Sequence, residues 1–178
     1  MKIGIDVDNV LNNLIYVLLD HYNKAANDVL TIDDITDYKI DSFVKPKWRD
    51  RIWEFFADKN LWHDISCIPD SQYYIHRLIG DGHKIYIVTA THGADFFGKW
   101  RWIKRHFPEV KTDNIIRCVH KQLLNLDVMV DDYQENLKGG NYEKILLDYP
   151  WNVRYKYAYH AQNWQEIYEH INRIGGIR

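Results

Sequence analysis

Apolar and polar positions along the chain alternate between a strand-like and a helix-like period. Ile3 to Val7 reads Ile-Gly-Ile-Asp-Val, a short strand run, and passes directly into Val10, Leu11, Leu14, Ile15, Leu18, Leu19 and Tyr22 at helical spacing. Asn27 to Asp41 is polar and turn-rich, and Pro46 then opens "PKWRDRIWEFFADKNLW", which predicts a second helix with an aromatic face. The helix "PDSQYYIHRLIGDG", stopped by Gly80 and Gly82, feeds the strand "HKIYIVTA". Beyond it the pattern predicts a helix "ADFFGKWRWIKRHF" and strands "NIIRCV", "LDVMV" and "KILLD". A closing helix "WQEIYEHINRI" carries Trp164, Ile167, Ile171 and Ile174 on one side.

Strands that alternate with helices predict an α/β fold, a Rossmann-like and mostly parallel sheet with helices on both faces. The stretch between the first strand and the strand at Lys84 is far longer than one crossover needs. Residues 13–69 are therefore expected to form a small helical cap inserted into a core built from 1–12 and 70–178. Tyr16, Tyr38, Phe43, Trp48, Trp53, Phe55, Phe56 and Trp62 give that cap more aromatic surface than a small bundle uses. Most are expected in its core, with one or two available to stack on a planar base.

Composition narrows the class. A chain of 178 residues, 46% hydrophobic, suits one domain with a sizeable core. Its 23 basic and 25 acidic residues leave a net charge of −2, which argues against nucleic acid or an anionic membrane as partner. Cys67 and Cys118 form neither a disulfide framework nor a CxxC pair, and no stretch reads as a signal peptide or a membrane span. A cytoplasmic protein is expected; monomer or homodimer stays open.

In open α/β sheets, ligands bind beyond the carboxyl ends of the strands. Asp6 and Asp8 stand at the end of the first strand, Thr89 and Thr91 at the next, Lys121 after "IIRCVH", and Asp131 with Asp132 after "LDVMV". Singly, each has an ordinary role: Asp8, Asn9 or Asp132 as helix caps, Thr89 as a strand residue, Lys121 as a solvated charge. Asp6 is the strongest clue, because a carboxylate desolvated in a strand end is costly without a partner. A magnesium ion, which prefers oxygen ligands, would relieve that cost through Asp6 with Asp131 or Asp132. Thr89 and Lys121 then suit phosphate oxygens, and the set reads as a phosphoryl-transfer site.

The motifs "DVDNV", "IVTA", "HKQ" and "VMVDD", in that order, resemble the four motifs of the haloacid dehalogenase superfamily. Within it the chain looks most like the 5'(3')-deoxyribonucleotidases, through its short length, its small cap, the spacing from Lys121 to Asp131 and the segment "ILLDYPWN". The resemblance implies a magnesium-dependent phosphatase for a small nucleotide substrate, most often a deoxyribonucleoside monophosphate. Asp6 would be the nucleophile and form an aspartyl phosphate, and Asp8 the general acid and then base. The Asp8 carbonyl would complete the metal site with Asp6, Asp131 and Asp132, while Thr89 and Lys121 hold the phosphoryl oxygens. Two positions depart from the family pattern: Asn9 where many relatives have glycine, and Tyr133 where the nucleotidases often carry arginine.

Other readings compete. A polynucleotide 3' end or a sugar phosphate could replace the mononucleotide, and a binding protein without turnover could keep the fold. A signalling receiver domain has its acidic pair first and no helical insert, the reverse of this order. "GADFFGKW" matches a P-loop only to its lysine, with Trp100 in place of the hydroxyl residue. It is better read as an amphipathic helix burying Phe96, Phe97, Trp100, Ile103 and Phe107, with Lys99, Arg101, Lys104 and Arg105 on a solvated face. The nine histidines form no zinc pattern.

Overall fold

Alternation along the first strand decides which side of the sheet each residue serves. In the computed structural model, which describes residues 1–57, 61–90 and 96–176, β1 runs Lys2–Ile5. Helices α1 (Leu14–Ala26) and α2 (Leu61–Asp64) lie in the long segment that follows, and α3 (Ser71–Gly80) leads into β2 (Lys84–Thr89). Next come α4 (Phe96–His106), β3 (Ile115–Arg117), β4 (Val128–Asp131), α5 (Gln134–Leu137), β5 (Glu143–Leu147), β6 (Tyr159–Ala161) and α6 (Trp164–Gly175). All strand pairs are parallel, in the order β3-β2-β1-β4-β5-β6. The chain leaves β1 towards β3 and returns on its other side at β4, so the topological switch lies between β1 and β4.

Ile3, Ile5, Ile87, Val128, Val130 and Ile145 share one core with Ile75 of α3, Ile103 of α4 and Ile167 of α6. Val88, Met129 and Leu146 pack on the opposite side with Leu126, Tyr142 and Leu137 of α5. Both faces are covered, as the alternating pattern predicts, but the long helices share one face and the other carries shorter elements. Gly4 belongs to that second side: a Cβ there would meet Leu126 Cδ1 at 2.5 Å and Met129 Sδ at 2.7 Å.

The expected elements are largely present, with five differences. Strand β6, Tyr159–Ala161, is absent from the expected set because Tyr-His-Ala carries no apolar run and buries only Ala161. Val10 and Leu11 are buried but precede α1, in a turn where the Leu11 amide donates to the Val7 carbonyl at 2.9 Å. The expected second cap helix is broken into 3-10 pieces at Pro46–Trp48 and Arg51–Ala57, followed by α2. Aromatic side chains lose rotamer freedom in an α-helix, and the broken path buries Trp48 and Ile52 while stacking Trp48 on Phe55 at 5.9 Å.

Helix α4 is turned from the expected face. It buries Gly98, Lys99, Trp102 and Ile103, whereas Phe97 is 69% exposed and Trp100 half-buried. Trp102 faces inward because its Nε1 donates to the Ile65 carbonyl at 3.0 Å, and Lys99 because its ammonium meets a carboxylate. Ile174 likewise falls off the buried stripe of α6. Among the described residues no helix is long and apolar enough to cross a membrane.

Candidate active site

The peptide after β1 sets the first half of the site. The Asp6 amide continues the ladder to the Val130 carbonyl at 2.9 Å, which fixes Asp6 at the junction of β1 and β4. The Val7 carbonyl then accepts from both Leu11 and Asn12, closing a tight turn over residues 7–12. Asn9 sits in that turn at φ 60°, a left-handed conformation that asparagine and glycine tolerate best. Its Nδ2 donates to Asp132 Oδ2 at 3.0 Å, and its Oδ1 accepts from the Ile15 amide at 2.9 Å, so one side chain ties the turn to β4 and to the first turn of α1.

The second half comes from the ends of β3 and β4. Lys121 is fully buried rather than solvated, and its Nζ donates to Asp6 Oδ1 at 2.5 Å and Asp131 Oδ2 at 2.7 Å. Asp131 Oδ1 accepts from the Tyr133 amide and from Asn136 Nδ2, both at 3.0 Å. The Asp132 carbonyl accepts from Trp151 Nε1 at 2.9 Å and Asn152 Nδ2 at 2.7 Å, which gives the "ILLDYPWN" segment a physical role. Asp132 does not cap α5; its carboxylate turns to Asn9.

Asp6, Asp131 and Asp132 each bring a carboxylate oxygen within 4.8 Å of the others. Burial, with Asp131 and Asp8 nearby, raises the Asp6 carboxyl to about 7 against the pull of Lys121. Burial and the same crowding hold Asp132 well above the usual carboxylate range. Burial alone would lower Lys121, but Asp131 and Asp6 hold it above its ordinary value.

Asp8 and Thr89 meet on the cavity side of this cluster through a residue that the sequence reading placed in solvent. Lys99 Nζ pairs with Asp8 Oδ2 and donates to Thr89 Oγ1 at 3.1 Å. Its signal was present: Lys99 heads the helical series Lys99, Trp102, Ile103 and Phe107, but a lysine is not counted as an inward residue. Asp8 Oδ1 also accepts from Asn12 Nδ2 at 3.1 Å. Thr91, with Gly93 to Asp95 of the P-loop-like stretch, lies outside the described residues.

Beside these groups lies a cavity of about 550 Å³. Asp8, Asn9 and Lys99 are among its polar lining, and Tyr38, Trp53, Phe56 and Trp62 of the segment between β1 and α3 line it together with Trp151. Of the other segment aromatics, Trp48 is core. Tyr38 stacks on Tyr133 at 3.6 Å between ring centroids and 12° between planes, joining the segment to the residue after the acidic pair. Burial and then Asp132, Asp6, Asp131 and Asp8 raise the Tyr38 hydroxyl well above its usual range.

The donor set fits a metal ion. Four carboxylates, Asp6, Asp8, Asp131 and Asp132, face two ammonium groups, Lys99 and Lys121. Burial first, and the neighbouring carboxylates after it, raise Asp6 and Asp132 against the pull of Lys121. A hard cation with oxygen preference matches that excess.

Known proteins resemble the chain over nearly its whole length. The family model for "5' nucleotidase, deoxy (Pyrimidine), cytosolic type C protein" matches residues 1–175. The chain is 32% identical to a 5'(3')-deoxyribonucleotidase of Clostridium acetobutylicum over 92% of its own length and 91% of that protein's. It is 27% identical to the Bacillus subtilis 5'(3')-deoxyribonucleotidase, over 93% and 95% of the two chains. A haloacid dehalogenase-like hydrolase from Streptococcus pneumoniae superposes with a TM-score of 0.67 at 12% identity, covering 96% of this chain and 97% of that one. A related hydrolase from Deinococcus radiodurans, solved with bound phosphate and sodium, gives a TM-score of 0.64 at 15% identity over 98% and 96%. At those identities the likeness is one of fold.

Proposed function

We propose a reaction from the premise these comparisons supply: the chain belongs to the 5' nucleotidase, deoxy (pyrimidine), cytosolic type C family. It is a nucleotide phosphatase of haloacid dehalogenase type, a hydrolase of phosphomonoesters. Our reading is that its substrate is a deoxyribonucleoside monophosphate and its cofactor magnesium. The observation that carries it is the ammonium of Lys121 held between Asp6 and Asp131, with Asp8, two residues beyond Asp6, lining a cavity walled by Tyr38, Trp53, Phe56, Trp62 and Trp151.

In the first step an Asp6 oxygen attacks phosphorus in line, the bond to the nucleoside oxygen breaks, and Asp8 delivers a proton to that oxygen. In the second, Asp8 takes a proton from water, the water oxygen attacks phosphorus, and the Asp6–phosphorus bond breaks to release inorganic phosphate. Asp6, Asp131 and Asp132 with the Asp8 carbonyl would hold the magnesium ion, which when bound supplies positive charge against the phosphoryl oxygens. Lys121 orients the Asp6 carboxylate and meets one phosphoryl oxygen; Thr89 offers its hydroxyl to another. Residues 13–69 act as the cap: their aromatic rings stack the base and exclude water. The aromatic lining of the cavity favours a substrate that carries a base over a sugar phosphate. A cytoplasmic location is in keeping with the free thiols of Cys67 and Cys118.

The test is phosphate release with magnesium from a panel of deoxy- and ribonucleoside monophosphates and sugar phosphates, with Asp6→Asn as the blank. Release from deoxynucleotides that disappears with EDTA or with Asp6→Asn is the expected result. Release from sugar phosphates alone would keep the chemistry and overturn the substrate.

A further inference from the structure

Lys99 is an unusual residue to bury in an amphipathic helix, and its surroundings say what it is for. Its side chain is 5% exposed, and its partner Asp8 is 21% exposed, and the pair lines the cavity. An ammonium has three donors. Two go to Asp8 Oδ2 and Thr89 Oγ1; among the described residues no acceptor takes the third. The nearest further group is the ring of Trp62, with Nζ 5.7 Å from its centroid, on the inserted segment. A buried ammonium with a spare donor beside a cavity is a ready-made contact for an anion.

A purely structural lysine would be bonded to groups with no part in the reaction. Both partners of Lys99 instead belong to the proposed machinery. Arriving phosphoryl oxygens are acceptors that the spare donor of Lys99 can reach, since Thr89, which shares Lys99, also faces them.

We infer that Lys99 is a second phosphate-anchoring lysine, held on Asp8 and Thr89 in the free protein and transferred to the phosphoryl oxygens when a phosphomonoester binds. The inference rests on the phosphatase reading above and deepens it: the phosphoryl group is clamped by two lysines from opposite sides of β1, Lys121 from the β3–β4 connection and Lys99 from α4. Trp62 then links that clamp to the inserted segment.

Calorimetric titration of inorganic phosphate, with magnesium present, into wild type, Lys99→Met and Lys99→Arg tests this without requiring turnover. The expected result is a loss of phosphate affinity of about 10- to 100-fold in Lys99→Met, with KM for the nucleotide rising in step and Lys99→Arg recovering much of the loss. Phosphate affinity unchanged in a folded Lys99→Met, with only kcat reduced, would overturn it and leave Lys99 a positioning residue for Asp8. If Lys99→Met does not fold, the Lys99 Nζ signal of 15N-lysine-labelled wild type is followed during phosphate addition. A shift supports the transfer, and an unmoved signal overturns it. Wild type that binds phosphate through Lys99 but hydrolyses no phosphomonoester would sink the phosphatase reading alone.

Discussion

Lys121 Nζ lies 2.5 Å from Asp6 Oδ1 and 2.7 Å from Asp131 Oδ2, and all three side chains are buried. One cation from the β3–β4 connection thus ties together the ends of the two strands that flank the topological switch. Its position keeps the carboxylates from repelling one another apart.

Removing that ammonium leaves buried charge unpaired, so Lys121→Met is expected to lose about 3–5 kcal/mol of stability without metal at neutral pH. Urea denaturation measures it, and magnesium should restore part of the loss. A change below about 1 kcal/mol would show that the carboxylates do not depend on Lys121.

The raised Asp6 carboxyl sets a pH dependence. Its folded value, about 7, exceeds the ordinary 3.8, so the folded protein binds more protons between them. That contribution is fully present below the ordinary value and is lost as pH rises through about 7. Asp132, also raised chiefly by burial, adds to it, while His83 and His106, lowered chiefly by burial, push the other way, so the comparison is with Asp6→Asn. Metal-free Asp6→Asn should gain on wild type by on the order of 2 kcal/mol between about pH 5 and 7.5. Equal pH profiles in thermal melts would contradict the assignment.

Asn9 combines a left-handed backbone with two side-chain bonds. Asn9→Gly keeps the backbone and should cost about 1 kcal/mol, whereas Asn9→Val adds strain and should cost roughly 2–4 kcal/mol. The ordering of the two variants in denaturant separates the conformational from the hydrogen-bonding role.

The Tyr38–Tyr133 stack is the aromatic bridge between the inserted segment and the acidic pair. Tyr133→Ala should raise KM by about 2- to 10-fold, the worth of one aromatic pair, with a smaller effect on kcat. Initial-rate kinetics on the preferred nucleotide read the split, and an unchanged KM would remove the stack from substrate retention.

Much of this was legible in the chain because strand ends are punctuated by residues a core does not otherwise contain. Asp6, Thr89, Lys121, Asp131 and Asp132 all lie where the carboxyl ends of β1, β2, β4 and the β3–β4 connection bring them. Lys99 escaped because hydrophobic periodicity treats a lysine as an outward residue, and only Asp8, far away in sequence, makes its burial tolerable. The broken path at 46–57 escaped for a related reason: its aromatic spacing fits a helix, but tertiary packing of Trp48 on Phe55 and Tyr22 decides the backbone. Strand β6 escaped because Tyr-His-Ala carries no apolar run.

The central claim is that Asp6 becomes covalently phosphorylated. Rapid mixing of wild type with a 32P-labelled deoxynucleoside monophosphate and magnesium, quenched in acid and followed by peptide mapping, tests it most directly. The account requires transient label on the peptide containing Asp6, and none in Asp6→Asn. Phosphate released at full rate with no label on any aspartate at any quench time would contradict it.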